Sequence, residues 1–238
     1  MVGKISIKLT GLLGLLTSLI FILSAARCDD EKPFASQELT FIIPATIEPT
    51  DDTLNIRDTL WLYVNSPDSL YEFNTKKKYK VPDFSFGQTS IIVRRLVGST
   101  IDLSDQESAV SNFNLIDSTG SIVFLGETFV DIKFHYDDIL DRYMLKLGFN
   151  PKMAGVYCLQ FLGPDVLNYE GVIDLGKNDK GATIVPVYKG MYFPINENSN
   201  DNNYQLFKDN CLSLYSGSSD SVGYYREFKG TFTFRVVE

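Results

Sequence analysis

The residues of this 238-residue chain that come nearest to a catalytic constellation are its single histidine, His135, and three carboxylates that follow it, Asp137, Asp138 and Asp141. A Ser-His-Asp or Cys-His mechanism needs an imidazole to take the proton of the nucleophile, so any such chemistry would have to run through His135. Paired carboxylates serve as acid and base in glycoside hydrolysis, or hold calcium. The bland readings are stronger. His135 falls in an alternating stretch beside Asp131 and Lys133, where a solvent-facing strand residue is the plain expectation. The aspartate run lacks the glycine and regular ligand spacing of cation loops, and a hydrated hairpin turn accounts for it at lower cost. The oxygen-rich stretch 196–203 reads in the same way as a surface loop and helix cap. With no phosphate-cradling glycine loop, zinc spacing or dinucleotide fingerprint, no catalytic residue, metal or cofactor is expected and the chain is read as a non-enzyme.

Two further sets of side chains carry chemistry. Cys28, Cys158 and Cys211 are the only cysteines. Aromatic rings gather late in the chain at Tyr188, Tyr192, Phe193, Tyr215, Tyr224 and Tyr225. Of these, Tyr188, Tyr192, Tyr224 and Tyr225 are the candidate ligand-binding rings, suited to stacking on a glycan or docking a protein. The alternative is that a large insertion needs these rings for a small core of its own.

The amino-terminal segment must be set aside before a fold is argued. Lys4 and Lys8 give a basic start, residues 9–26 carry no charge, and a leucine-rich core ends in small residues, which is the layout of an export signal. Ser24-Ala25-Ala26-Arg27-Cys28 resembles a bacterial lipobox, although Arg27 stands where a small residue is usual. That resemblance implies diacylglycerol on the Cys28 thiol and cleavage on its amino side. Ordinary cleavage after Ala26 and retention as a membrane anchor are the alternatives. Asp29, Asp30, Glu31 and Lys32 follow directly, and this acidic cluster resembles the export tag of Bacteroidota surface lipoproteins. Its plainer reading is a solvated linker. The expected organisation is a leader over 1–27, an acidic linker over 28–37 and one domain over 38–238. The expected location is the outer membrane, lipid-anchored and facing outward, with the periplasm as alternative.

Charge narrows the partners. The full chain carries −8; without Lys4, Lys8 and Arg27 the remainder has 19 basic and 30 acidic residues, a formal −11. Nucleic acid is therefore excluded as an expected partner. Anionic headgroups are disfavoured too, so attachment to a membrane must come from acyl chains or the leader.

The elements that must position these residues are strands. Period-two alternation recurs along the chain between turn-rich stretches. Strands are expected over 38–47, 59–64, 90–97, 129–136, 142–149, 156–162 and 230–237, with a hairpin over 71–81. Pro44 marks an edge or bulge in the first. Strand 59–64 is expected to be central because Trp61 and Tyr63 make its second face apolar as well. Ser104-Asp105-Gln106-Glu107 reads as a capping box that opens a short helix or turn near 105–112.

Ala154-Gly155-Val156-Tyr157-Cys158-Leu159 resembles the penultimate strand of bacterial immunoglobulin-like domains, and Asp58-Thr59-Leu60-Trp61-Leu62 resembles their early strand. The resemblance implies an Ig-like antiparallel β-sandwich. In antibody domains the tyrosine precedes the cysteine by two residues, whereas Tyr157 and Cys158 are adjacent and face opposite sides. Cys158 is thus expected to look outside the sandwich core. Tyr204, Phe207, Cys211, Leu214 and Tyr215 are spaced as one helical stripe. A helix over 202–215, inserted between the last two strands, is expected to pack on the strand of Cys158 through a Cys158–Cys211 disulfide, the alternative being that the two cysteines are merely buried apolar residues. The resulting expectation is a non-catalytic binding or accessory module with glycan or protein ligands. A structural or adhesive protein is the alternative, and a periplasmic enzyme a further one.

Overall fold

The computed structural model describes residues 35–83, 89–97, 106–163, 173–197, 202–211 and 229–238. Cys28 and the expected leader over 1–27, Ser104, Asp105, Leu214, Tyr215, Tyr224 and Tyr225 lie outside the described residues.

The chain is mainly β. Its strands are β1 (Ala35–Ile42), β2 (Ala45–Glu48), β3 (Thr53–Asn55), β4 (Leu60–Pro67), β5 (Ser69–Glu72), β6 (Lys78–Lys80), β7 (Thr89–Arg95) and β8 (Glu107–Ser108). There follow β9 (Phe113–Thr119), β10 (Ser121–Leu125), β11 (Phe129–Lys133), β12 (His135–Asp137), β13 (Arg142–Pro151), β14 (Gly155–Leu162), β15 (Ile184–Tyr192) and β16 (Thr231–Val237).

Two sheets make the Ig-like sandwich. One runs β12-β13-β4-β2, with β9 pairing β13 beyond the end of β12. The other runs β10-β11-β7-β14-β16-β3, antiparallel except for the short parallel pair β16 and β3, with β8 beside β7. Alternation aims Leu60, Leu62 and Val64 of β4 and Tyr143, Leu145, Leu147 and Phe149 of β13 into the interior, where they are buried. Tyr157, Leu159 and Phe161 of β14 are buried with Phe232, Phe234 and Val236 of β16. Phe113 joins the layers, edge-on to Phe149 at 6.0 Å and to Tyr157 at 4.9 Å, with Phe234 at 6.2 Å. Edge-to-face geometry brings the positive ring rim onto a negative face, which favours such a cluster beyond the area it buries.

A third sheet runs β15-β1-β5-β6. Glu72 is fully buried there, and its carboxylate accepts N–H groups of Thr40, Asn74 and Thr75. Burial pushes this carboxyl up, but the backbone donors, Thr75 first, outweigh it and hold it below the ordinary glutamate value. Residues 174–185 together with 35–37 form a small unit of their own, where Asn178 Oδ1 accepts the N–H groups of Lys180 and Ala182.

Several strands differ from the expectation in one consistent way: the chain changes sheets mid-run. The expected strand over 38–47 is cut at Pro44, with β1 in the third sheet and β2 pairing β4. Proline has no N–H to give a ladder, so the break falls there. The expected strand over 129–136 is cut at Phe134. Its first half, β11, pairs β7 and β10, and its second, β12, pairs β13. Phe134 is buried and stacked on Phe193 at 5.8 Å, and Asp131, expected on a wet face, is buried with Ser90 Oγ donating to it. The described part of 105–112 is strand β8 and a 3₁₀ turn, Val110–Asn112, with no helix over 106–109. Glu107 there pairs with Arg95 at 3.4 Å. The insertion before β16 holds strand β15 as well as a helix, and that helix is shorter than expected, Tyr204–Asn210.

Candidate functional site

A cleft of about 780 Å³ opens among the described residues. Consecutive strands β9 and β10 form its walls, each at the rim of a different sheet. Gly120 makes the passage between them. Its φ is +83°, and a Cβ there would stand 2.7 Å from the Lys133 carbonyl oxygen, so a side chain is excluded by both conformation and space. Phe113, Leu115, Ile122 and Leu125 give the cleft an apolar lining, with Ser108, Ser111 and Asn114 polar and Glu127 the charged residue among those that line it.

Local irregularity in β10 shapes this wall. The register with β11 shifts between Ile122 and Phe124, which leaves Val123 as an extra residue. A bulge resets the alternation. Ile122 and Leu125, three apart and on opposite faces in a regular strand, therefore both line the cleft. Phe124 turns instead onto Phe129, with ring centroids 5.7 Å apart. The result is three consecutive exposed apolar residues, Val123 at 65%, Phe124 at 54% and Leu125 at 55% exposure.

The residues singled out for catalysis lie elsewhere. His135 is exposed on β12 opposite Met144, and Asp137, Asp138 and Asp141 form the turn into β13 that was expected of them. Asp137 Oδ1 accepts the N–H groups of Ile139 and Leu140, an Asx-type turn. Lys80 bridges Asp141 at 3.2 Å and the buried Asp68 at 3.7 Å, and Tyr136 Oη donates to Asp68 at 3.2 Å. Burial, together with the charges of Asp68 and Asp141, pushes the Tyr136 phenol up to about 12. This network engages Asp141 and Asp68 with protein donors. Among the described residues, no group of three or more His, Cys, Asp or Glu side chains could hold a metal ion.

Cys158 and Cys211 come together as expected. They share a buried cluster with Leu96 and Phe207, flanked by Val156 and Tyr204, and Cys158 does look away from the sandwich core. The expected disulfide is not formed: both are buried thiols. Apolar contact by Phe207 and its neighbours, with the Thr233 N–H donating to the Asn202 carbonyl at the start of the helix, seats it without a covalent tie. Burial pushes the Cys158 thiol up to about 12, which makes it a poor nucleophile.

The aromatic candidates split. Tyr188 is buried with Phe41 at 6.4 Å, and Tyr192 is half-buried and edge-on to Phe73 at 5.4 Å, so both serve the insertion's packing. The β10 edge went unrecognised in the alternation. Its signal was Ile122-Val123-Phe124-Leu125, a short apolar run bounded by Gly120 and Gly126.

No family model matches the chain, and comparison with curated proteins returns no match. Solved structures with some likeness include a non-cellulosomal cohesin from the hyperthermophilic archaeon Archaeoglobus fulgidus, 11% identical, covering 71% of this chain and 98% of that one at a TM-score of 0.20. A superposition that loose carries no argument about this chain, whose β-sandwich stands on its own strand pairing.

Proposed function

We propose that the protein is an exported lipoprotein, anchored through Cys28, whose β-sandwich is a non-catalytic binding module with the cleft between β9 and β10 as its ligand site. The observation that carries this reading is the exposed, uncharged run Val123-Phe124-Leu125 beside an apolar cleft, on a chain of net charge −8. Exposing such a run costs solubility, and contiguous apolar surface next to a concavity is the usual mark of an interaction site. A protein ligand fits better than a glycan. Of the candidate stacking rings, Tyr188 and Tyr192 are turned into packing, and the exposed Phe124 ring at the cleft is tilted onto Phe129 between aliphatic neighbours. The lipobox-like Ser24-Ala25-Ala26-Arg27-Cys28 and the acids after it support anchoring and outward display.

Anchoring and binding are tested together on producing cells. Wild type, Cys28→Ala and Leu125→Asp are compared by external protease treatment and by crosslinking to neighbouring proteins. Wild type is expected to be shaved from intact cells, and Cys28→Ala to be released or shielded. Leu125→Asp should stay anchored and lose its crosslinked neighbours. Protection of the wild type until the envelope is opened would place the module in the periplasm. An unchanged crosslinking pattern in Leu125→Asp would overturn the cleft as the site.

A further inference from the structure

The open side of the cleft offers more than an apolar surface, because β10 is the last strand of its sheet. Gly126 N–H donates to the Phe129 carbonyl at 2.9 Å. In an antiparallel ladder successive residues alternate between facing the partner strand and facing away. Leu125 therefore turns its N–H and C=O outward, away from β11. Ile122 N–H also points outward, where the Asp117 carboxylate accepts it at 3.1 Å. Past the bulge, the main-chain donor and acceptor of Leu125 face the open side, next to exposed Val123 and Phe124.

Protein edges usually carry charge, proline or a cover that discourages a further strand. Three of the other rims follow that rule. β6 has Lys78 and Lys80, β12 has His135 and Asp137, and β3 is three residues long and preceded by Asp51 and Asp52. Ser121 to Leu125 contains neither charge nor proline.

Charge at the two ends of the edge narrows the occupant. Glu127 lines the cleft past Leu125, and Asp117 sits at the Ile122 end. Lys133, opposite Ser121 on β11, is one strand further back. Two copies joined by a two-fold axis across β10 would set Glu127 of each beside Asp117 of the other, between chains that each carry −8. A foreign strand with a basic end gains from the same carboxylates.

We infer that β10 accepts an extended segment of another polypeptide as an added strand, placing alternate apolar side chains against Ile122 and Leu125 and a basic residue at Glu127. The inference rests on the cleft being the binding site. Main-chain hydrogen bonds give such a complex its affinity, and the pockets for alternate side chains give it specificity.

The test uses the full chain in mild detergent and a fluorescein-labelled seven-residue peptide of alternating valine and threonine with a lysine at each end. Control peptides carry glutamate for both lysines, or N-methyl groups on the central amides, which removes the ladder donors while keeping the side chains. Anisotropy should show saturable binding of the lysine peptide, at least tenfold weaker binding of the glutamate peptide and none of the N-methylated one. Leu125→Asp and Phe124→Ser should each abolish binding, and Ile139→Asp, at a distant exposed turn, should leave it intact. Equal binding of the N-methylated peptide overturns strand addition, while its loss on Leu125→Asp would still keep the cleft as the site. Binding that survives both Leu125→Asp and Phe124→Ser overturns strand addition and the cleft together. No peptide binding, with or without a concentration-dependent dimer that Leu125→Asp dissociates, also overturns the inference, and the dimer would make a second copy the occupant.

Discussion

Among the described residues, two runs of adjacent exposed apolar side chains are built differently. At the β12–β13 turn Ile139 is 89% and Leu140 60% exposed, but both backbone N–H groups are held by Asp137, and Asp138 and Asp141 flank them. At β10 the exposed run Val123 to Leu125 has no charge within it and lies against a cleft. Carboxylates around the first pair keep that tip hydrated and penalise a low-dielectric contact. Nothing in the second run imposes such a penalty. Exposure of a large side chain is thus a weak signal by itself; the charge and shape around it decide whether it is a solvated turn or a docking edge.

The most severe way to break this comparison is to remove the floor of the apolar edge. Phe113→Ala deletes a ring that packs on Phe149, Tyr157 and Phe234 beneath the cleft. A loss of about 3–5 kcal/mol is expected, as for buried Phe→Ala elsewhere, measured by urea unfolding. A cost below about 1 kcal/mol would mean that the two sheets are not joined through this ring.

Glu72, in the hairpin that carries Lys80, sharpens the contrast from the polar side. Its folded carboxyl is held below the ordinary value, so its stabilisation is present above the unfolded-state pKa and lost as pH falls through the lowered one. Glu72→Gln should cost about 1–3 kcal/mol at neutral pH. It should also flatten the acid limb of the stability-versus-pH curve, and an unchanged limb would show that another carboxylate governs it.

Leu125→Asp should leave unfolding stability within about 0.5 kcal/mol of wild type, as surface changes do, while abolishing binding. A large destabilisation would reassign the β10 edge from docking to packing. The smallest effect belongs to Tyr136. Its phenol is raised to about 12 from an ordinary 10, so the stability it gives is present below pH 10 and lost as pH rises toward 12. Ultraviolet titration of Tyr136→Phe should lack one late-ionising phenol, and an unaltered late phase would place the strong Asp68 contact elsewhere.

Much of this was legible along the chain because alternation is a local signal. Strands 142–149, 156–162 and 230–237 were readable from period two, as was the turn at Asp137, Asp138 and Asp141, since both depend on neighbours in sequence. The sheet switches at Pro44 and Phe134 were not, because each half keeps its alternation and only the identity of the pairing strand changes. The bulge at Val123 hid β10 by disrupting the alternation that marks a strand. Cys158 facing away from the core was readable from its place beside Tyr157, whereas its bonding state was not, since two buried thiols pack as readily as many apolar pairs.

The sequence by itself determined the β class, the inward faces of β4, β13 and β14 and a net negative charge, because side-chain period and charge are properties of neighbouring residues. Only the tertiary structure decided which strands became rims. Whether Val123, Phe124 and Leu125 end in a core or on an open edge depends on where β9 and β10 part into different sheets, and that is settled by contacts between residues far apart in the chain.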